Sequence, residues 1–194
     1  MKYTLKQTNN SKQQITFQIF SNQTYLNTIK INKTLKVNEY QINDDHQALY
    51  TLLINKTKHK QKIFILGNEK KQLGNFLLDY KKAFKFFHSY VYFEFNYQNH
   101  HYTFYYILIK NEGEKFPIYD NKKQVALIEK SFYTHKNLDA YQISTIDNLD
   151  LNIVLLVTIF IEICYFCNCN PSKLKRPNDY TYNQTLLSKY HKDF

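Results

Sequence analysis

Apolar and polar side chains alternate along much of the chain before residue 147. Residues 15–19 (Ile-Thr-Phe-Gln-Ile) show the pattern most clearly, with one apolar face. A period of two is that of a β-strand with one buried side. The pattern therefore predicts a mainly β protein in which only short helices fit before residue 147. The predicted strands are residues 15–19, 25–31, 47–54, 63–66, 72–78, 90–95, 102–109, 116–119 and 124–132.

Polar dipeptides separate these stretches where hairpin turns would fall. Gly67-Asn68, Asp120-Asn121 and Asn43-Asp44 fit that role, because Asn and Asp tolerate positive φ in a chain with only three glycines. Residues 68–74 and 120–126 also resemble each other, and residues 20–26 form a degenerate third copy. Two interpretations stay open: ordinary Asn/Lys-rich turns, or a sheet of repeated hairpins that wraps round on itself.

The last organised element is apolar on every side. Residues 151–167 follow the N-cap candidates 147–150 and contain only Asn152, Thr158 and Glu162 as clearly polar members. A helix that is apolar all round is buried either in a protein or in a membrane. As a core helix its 17 residues span about 25 Å, which matches the depth of a small closed sheet.

The alternative is a tail-anchored membrane protein with residues 151–167 as the span. The segment is short for a span, and Glu162 interrupts its uncharged run. The basic residues downstream, Lys173, Lys175 and Arg176, fit the positive-inside rule. We favour the core helix, because the strands otherwise have no element to cover their apolar face. The sequence thus predicts a closed antiparallel β-barrel of repeated hairpins around a central apolar C-terminal α-helix.

The order of these elements resembles the tubby C-terminal-like superfamily, which includes phospholipid scramblase-like, LURP-one-related and short bacterial proteins. The resemblance rests on the hairpin pattern of residues 118–130 followed by Asp150 and the apolar helix. It implies a barrel over residues 1–167, with the core helix at about 150–167, and a polar basic tail over 168–194. It also implies a binding module and not a catalyst. Tubby proteins bind phosphoinositide headgroups through basic barrel residues, but those positions have no residue-by-residue counterpart here, so the lipid is not carried over.

Basic charge is concentrated in one stretch of the chain. The formal net charge is +10, and residues 56–85 hold nine lysines against Glu69 and Asp79. Arg176 is the single arginine of the sequence, which disfavours base-specific nucleic-acid recognition. A lysine-rich surface suits diffuse attraction to an anionic surface better.

A lysine-rich face is the candidate binding site. In an extended strand the alternating lysines of residues 56–62 would project from one face at about 6.6 Å intervals. Lysines also protect edge strands from aggregation, so a purely solvated edge is the competing interpretation. The predicted lipid- or anion-binding residues are Lys56, Lys58, Lys60, Lys62, Lys81, Lys82 and Lys85.

The sequence predicts no cofactor, metal or catalytic site. Nucleophile-elbow, P-loop, dinucleotide and HExxH motifs are missing from it. The crowded Cys164, Cys167 and Cys169 suit buried thiols better than a zinc site completed by His88 or His191. A Glu162 buried without a partner would have a raised pKa. We expect it either to pair with a Lys or Tyr at the barrel mouth or to sit exposed at the end of the helix.

Taken together, these patterns predict a cytoplasmic, non-catalytic binding module. Its expected partner is an anionic membrane surface or lipid headgroup, and nucleic acid is not expected. The alternative from another class is a protein–protein interaction or regulatory adaptor domain that uses its Tyr-rich strands, since Tyr is enriched at interfaces.

Overall fold

Twelve antiparallel strands and one helical segment make up the part of the chain that the structure describes. The structure is a computed structural model, which describes residues 1–36, 38–56, 60–67, 69–79, 91–109, 112–130, 138–167 and 190–191. The strands are β1 Lys2–Asn10, β2 Gln14–Ser21, β3 Thr24–Lys33, β4 Glu39–Asn43, β5 Ala48–Lys56, β6 Lys60–Leu66, β7 Gln72–Asp79, β8 Val91–Tyr97, β9 His100–Ile109, β10 Gly113–Asp120, β11 Lys123–Lys130 and β12 Ala140–Thr145. The helix α1, Leu151–Ile161, continues into a π-helical turn, Glu162–Phe166.

The strands close into a barrel in sequence order. Each strand pairs with the next, and β1 pairs with β12 to close the ring. In this closing seam Leu5 lies opposite Tyr141, and Tyr3 lies opposite Ile143. The predicted closed antiparallel barrel is therefore confirmed.

Alternation along the strands sets the inside of the barrel. On β2, for example, Ile15, Phe17 and Ile19 are buried, while the residues between them are partly exposed. The alternation of the sequence did not predict three of the strands, β1, β4 and β12. Each has few inward-facing apolar side chains; in β4 they are Tyr40 and Ile42. Two alternating apolar positions are too few to stand out as a pattern.

Asparagine and other polar residues, in place of glycine, make several tight turns. Asn22-Gln23 and Gln98-Asn99 have positive φ at both positions, the backbone of a type I′ hairpin turn. Asn121 also has positive φ, as predicted for the turn that follows β10. At the predicted Asn43-Asp44 turn, the Asp44 carboxylate accepts hydrogen bonds from the His46 and Gln47 amides at 2.8 and 2.7 Å.

The apolar helix fills the barrel. Asp150 is its N-cap and accepts a hydrogen bond from the Asn152 amide at 2.9 Å. Val154, Leu156 and Ile161 are fully buried among the inward-facing side chains of the strands. The core-helix interpretation of residues 151–167 is confirmed, so the membrane-span alternative does not describe this segment. In the described part of the chain, no helix has the length and apolar character to cross a membrane.

Aromatic rings surround the middle of the helix. The Phe160 ring lies 4.4 Å from the Phe76 ring, 5.0 Å from that of Phe93 and 5.6 Å from that of Phe104, measured between centroids. The Phe76 ring also stacks on Phe95 at 4.3 Å. The many phenylalanines of the sequence therefore form a ring-to-ring core that joins α1 to β7, β8 and β9.

Gly74 allows β7 and β8 to approach, and we predict that Gly74→Ala destabilises the barrel by about 3 kcal/mol. A Cβ at this position would lie 2.1 Å from the Asn96 carbonyl oxygen, which belongs to backbone and cannot move aside. Urea denaturation measures the change. Gly67→Ala is the control, because its Cβ would meet only the flexible Leu73 side chain, at 3.1 Å. Equal losses for the two variants would contradict the prediction.

Candidate functional site at the exit rim of the barrel

The barrel has two rims of different character. We call the rim where the odd-numbered strands begin, and where α1 enters, the entry rim. The opposite rim, where the odd-numbered strands end and the even-numbered strands begin, is the exit rim, because the helical segment ends there.

The predicted lysine row is divided between two strands. β5 ends at Lys56 and β6 begins at Lys60, so both backbones lie at the exit rim; their side chains lie outside what the structure describes. In the antiparallel pairing Lys56 is opposite Gln61, and Lys62 is opposite Asn55. The expectation of one continuous row along a single strand is therefore wrong, since Lys56 and Lys62 lie on two antiparallel strands. Lys58, Lys81, Lys82 and Lys85 lie outside the described residues.

Lys62 is placed away from the exit rim. It lies on the outer face of β6, between the inward-facing Gln61 and Ile63, and its Nζ is 4.8 Å from the centre of the Phe64 ring. A cation over an aromatic face is attracted by the ring quadrupole. The contact with Phe64 therefore gives Lys62 a structural role of its own.

Other lysines, which the sequence analysis did not select, lie at the exit rim. Lys12 lies in the β1–β2 turn, and Lys33 and Lys36 lie where β3 leads into β4. Lys12 and Lys33 border an open groove of about 700 Å³, and Lys36 follows Leu35, the last residue of its lining. Of the lining residues that the structure describes, none is acidic: they are Asn9, Ser11, Lys12, Gln13, Gln14, Asn32, Lys33, Thr34 and Leu35. A polar groove of this composition can accept an anionic group.

Hydrogen bonds fix the wall of this groove. Gln14 Nε2 donates to Asn32 Oδ1 at 2.8 Å, and the Gln14 amide donates to Ser11 Oγ at 3.0 Å. The Lys33 amide donates to the Gln13 carbonyl oxygen at 2.8 Å, which ties the two turns together. The lysines therefore extend from an ordered rim.

Leu35 is the most exposed large apolar side chain among the described residues. Its relative exposure is 106%, and it lies at the turn between Lys33 and Lys36. The turn is shaped by the Lys36 amide, which donates to Thr34 Oγ1 at 3.2 Å, and Lys36 Nζ lies 3.7 Å from the Glu39 carboxylate. Single exposed apolar side chains are common on protein surfaces, so Leu35 gains significance only from the lysines and the groove beside it.

The entry rim carries charges of both signs. Asp44, Asp45 and Asp120 lie there together with Lys122 and Lys123. Fields from mixed charges cancel over a short distance in physiological salt. The exit rim also includes the described Glu39 and Glu112, so its uniformly basic part is the groove beside Lys12 and Lys33.

A buried polar cluster lies directly beneath the exit rim, around Glu162. Gln7 Nε2 donates to Glu162 Oε1 at 3.0 Å, and the Tyr141 hydroxyl donates to Glu162 Oε2 at 2.6 Å. The Asp139 amide donates to Gln7 Oε1 at 2.9 Å. Glu162 thus links the helical segment to both strands of the closing seam, and it does so at the first residue of the π-helical turn.

A buried ion pair completes this cluster. Lys130 Nζ lies 2.8 Å from the Asp139 carboxylate and 4.0 Å from Glu114 Oε2. It also lies 4.2 Å from the centre of the Phe166 ring. The Tyr106 hydroxyl donates to Glu114 Oε1 at 2.8 Å. We call these residues the Glu162 cluster: Gln7, Tyr106, Glu114, Lys130, Asp139, Tyr141 and Glu162.

Burial raises the pKa of the Glu162 carboxyl to about 7. The charge of Asp139 raises this pKa further, whereas the hydrogen bond from Tyr141, the charge of Lys130 and the hydrogen bond from Gln7 lower it. Burial, and then the charge of Glu162, hold the pKa of Tyr141 well above its usual value, so its hydroxyl stays a donor. The predicted pairing of Glu162 with a Lys or Tyr at the barrel mouth is confirmed for Tyr141.

The Glu162 cluster ties the helical segment to the strands through buried hydrogen bonds and ion pairs. The described residues contain no group of three or more His, Cys, Asp and Glu side chains placed to hold a metal ion. Cys164 and Cys167 are buried, and Cys167 Sγ donates to the Ile163 carbonyl oxygen at 3.6 Å. Cys169 and His88, named above in the zinc alternative, lie outside the described residues, whereas His191 donates its amide to Gln124.

The Tyr-rich strands predicted as a contact surface include β8 and β9, and most of the described tyrosines of these two strands face inward. Tyr97, Tyr102 and Tyr106 of β8 and β9 are buried. Tyr105, between them, is half-buried, and its ring meets that of Tyr119 edge-on at 5.8 Å. The described tyrosines of β8 and β9 therefore offer little free aromatic surface, whereas Tyr25 on β3 is exposed.

Comparison of the chain with known protein families, with curated proteins and with solved structures finds no match in any of the three. The resemblance to the tubby-like superfamily stays a prediction, and support for a function comes from the rim geometry.

Proposed function

We propose that the protein is a non-catalytic binding module whose exit rim associates with an anionic membrane surface. The observation that carries the proposal is Leu35, exposed between Lys33 and Lys36 beside a groove whose described lining is basic and polar. Each lysine close to an anionic surface contributes about 1 kcal/mol of attraction. Transfer of the Leu35 side chain out of water adds about 2 kcal/mol. Association of this kind is reversible and weakens with salt.

The tubby-like resemblance supports the same class of function, because a barrel around an apolar helix is the architecture that it implies, and that family consists of binding modules. The same proposal places the protein in the cytoplasm, as a peripheral protein at the inner face of the membrane. In it Lys56 and Lys60, whose backbones lie at the exit rim, would add to the attraction of Lys12, Lys33 and Lys36.

We expect the protein to float with vesicles that contain phosphatidylserine and to stay behind with neutral phosphatidylcholine vesicles. The triple variant Lys12→Gln/Lys33→Gln/Lys36→Gln should bind the anionic vesicles at least about 10-fold more weakly, because three charges leave the rim. Leu35→Ser should weaken binding by about 30-fold, which corresponds to about 2 kcal/mol, while leaving its salt dependence unchanged, because it removes apolar and not ionic contact.

The entry rim supplies matched controls. Lys70→Gln/Lys71→Gln/Lys122→Gln removes the same charge from the opposite end of the barrel, and Leu26→Ser removes an exposed leucine there. These variants should bind like the unmodified chain. If both triple variants lose binding equally, net charge and not the exit rim drives association. If the unmodified chain ignores anionic vesicles at low salt, the proposed function is wrong.

A further inference from the structure

Two neighbouring strands lack the alternation of the rest of the barrel. Every residue of β10 from Gly113 to Tyr119 is buried, and on β11 burial is continuous from Gln124 to Ile128. On β1 and β12, by contrast, the outward-facing Lys2, Lys6 and Gln142 are exposed. Side chains on both faces of a strand are buried only if something covers the outer face.

The pairing register shows which of these buried residues face outward. Residues directly opposite each other in an antiparallel pair share a face. Phe116 and Ile118 belong to the inner core, so the alternate residues between and beside them face out. The outward-facing buried pairs are Lys115 with Ile107, Pro117 with Leu127, and Tyr119 with Gln124, and we call these six residues the covered face.

The C-terminal part of the chain touches this face. The Tyr190 ring centre lies 6.0 Å from Lys115 Nζ, and the His191 amide donates to Gln124 Oε1 at 3.3 Å. The Tyr119 hydroxyl donates to the same oxygen at 3.4 Å. Gln124 Nε2 is buried, and no acceptor for it is found among the described residues.

The chain between the helical segment and Tyr190 is long enough to reach the covered face. Residues 168–189 follow the exit-rim end of the helical segment and extend to at most about 70 Å. They include apolar side chains at Leu174, Leu186 and Leu187. A segment with these residues can shield Leu127 and Pro117 from water.

We propose that the covered face is a peptide-docking surface whose occupant is this chain's own C-terminal segment, residues 168–194. Tyr190 and His191 anchor the segment at Lys115 and Gln124, and its leucines cover the apolar centre formed by Ile107, Pro117 and Leu127. The polar tail predicted from the sequence is then a bound strap on the outside of the barrel. This inference is independent of the proposed membrane association, which concerns the exit rim.

Thiol labelling of the full-length chain tests the proposal. In a Cys169→Ser background, Leu127→Cys places a thiol at the centre of the covered face, and Gln142→Cys places one on the exposed outer face of β12. We expect a maleimide to label the thiol at position 127 about 100-fold more slowly than the thiol at position 142. Cys164 and Cys167, buried beneath the exit rim, report whether the barrel itself stays folded.

Acidic substitutions in the tail identify the cover. Leu186→Asp/Leu187→Asp/Tyr190→Asp, added to the Leu127→Cys chain, should speed labelling at position 127 at least about 10-fold, because buried carboxylates oppose docking. The matched control Asn183→Asp/Gln184→Asp/Ser188→Asp adds the same charge at polar positions of the same segment and should leave labelling slow. If Cys164 and Cys167 also become labelled in the first variant, Tyr190→Asp alone replaces it.

Two outcomes overturn the inference. One is labelling at position 127 as fast as at position 142 in the chain with an unmodified tail, which means that the face is open. The other is continued protection of position 127 when the leucines and Tyr190 are acidic, which means that another part of the chain covers it.

Discussion

Phe160→Ala should lower the free energy of unfolding by about 4 kcal/mol, the largest effect that we expect from a single truncation in this barrel. Phe160 is almost completely buried, and its ring touches the rings of Phe76, Phe93 and Phe104 on three different strands. The cavity would be walled by rigid strands on every side, so it cannot collapse. Urea denaturation followed by circular dichroism measures the loss.

Leu155→Ala is the control on the same helix. Leu155 is only partly buried against the core, so its truncation should cost about 1 kcal/mol. A loss for Phe160→Ala no larger than that for Leu155→Ala would mean that the aromatic core repacks around the helix, contrary to the expectation.

Glu162→Gln should stabilise the protein at pH 8 and have little effect at pH 4. In the unfolded chain the carboxyl deprotonates near its ordinary pKa of 4.5, whereas burial raises the folded pKa to about 7. Between these values the folded state binds more protons than the unfolded state, so stability falls as pH rises through this window and then levels off. The difference in pKa corresponds to about 3 kcal/mol of penalty above pH 7. The neutral amide carries no such penalty.

The measured quantity is the stability difference between Glu162→Gln and the unmodified chain across pH 4–8, since other titrating groups cancel in that difference. Asp139, Lys130 and Glu114 surround the carboxyl in both proteins. Tyr141→Phe, a second variant, removes a hydrogen bond that lowers the pKa of Glu162 and should move the midpoint of the pH effect upward. A flat difference, or a less stable Gln variant at pH 8, would show that the hydrogen bonds and Lys130 hold the ionised form without penalty.

The architecture could be predicted from the sequence because its two strongest patterns are local. Alternation over residues such as Ile15, Phe17 and Ile19 predicts a strand wherever the run is long. A helix that is apolar on every side must be buried, and the inside of the barrel is where the strands present their apolar face. β4 and β12 were missed because each is short; β12 contributes only Tyr141 and Ile143 as inward apolar residues. On β10 and β11 the side chains of both faces are buried, so apolar and polar residues do not alternate along these strands.

The site could be predicted much less well, because its residues come together only in three dimensions. Gln7 and Glu162 are separated by 155 residues, and nothing around Gln7 marks it as an inward-facing partner of a carboxylate. The density of lysines predicted a binding surface within residues 56–85. Lys12, Lys33 and Lys36 also lie at the exit rim, but each is isolated in the sequence. The signal that could have found them is positional: each lies at or beside a turn at the same end of the meander.

The order in which the strands occur has a consequence for biosynthesis. Thr4 and Gln142 meet in the closing seam across 138 residues, and the helix that fills the barrel follows all twelve strands. A ribosome delivers the N-terminal strands first, so the nascent sheet holds an uncovered aromatic face and an unpaired β1 edge until the last strand and the helix emerge. Chaperone demand should therefore be greatest late in translation, and a premature stop before Asp150 would release a sheet with nothing to close around.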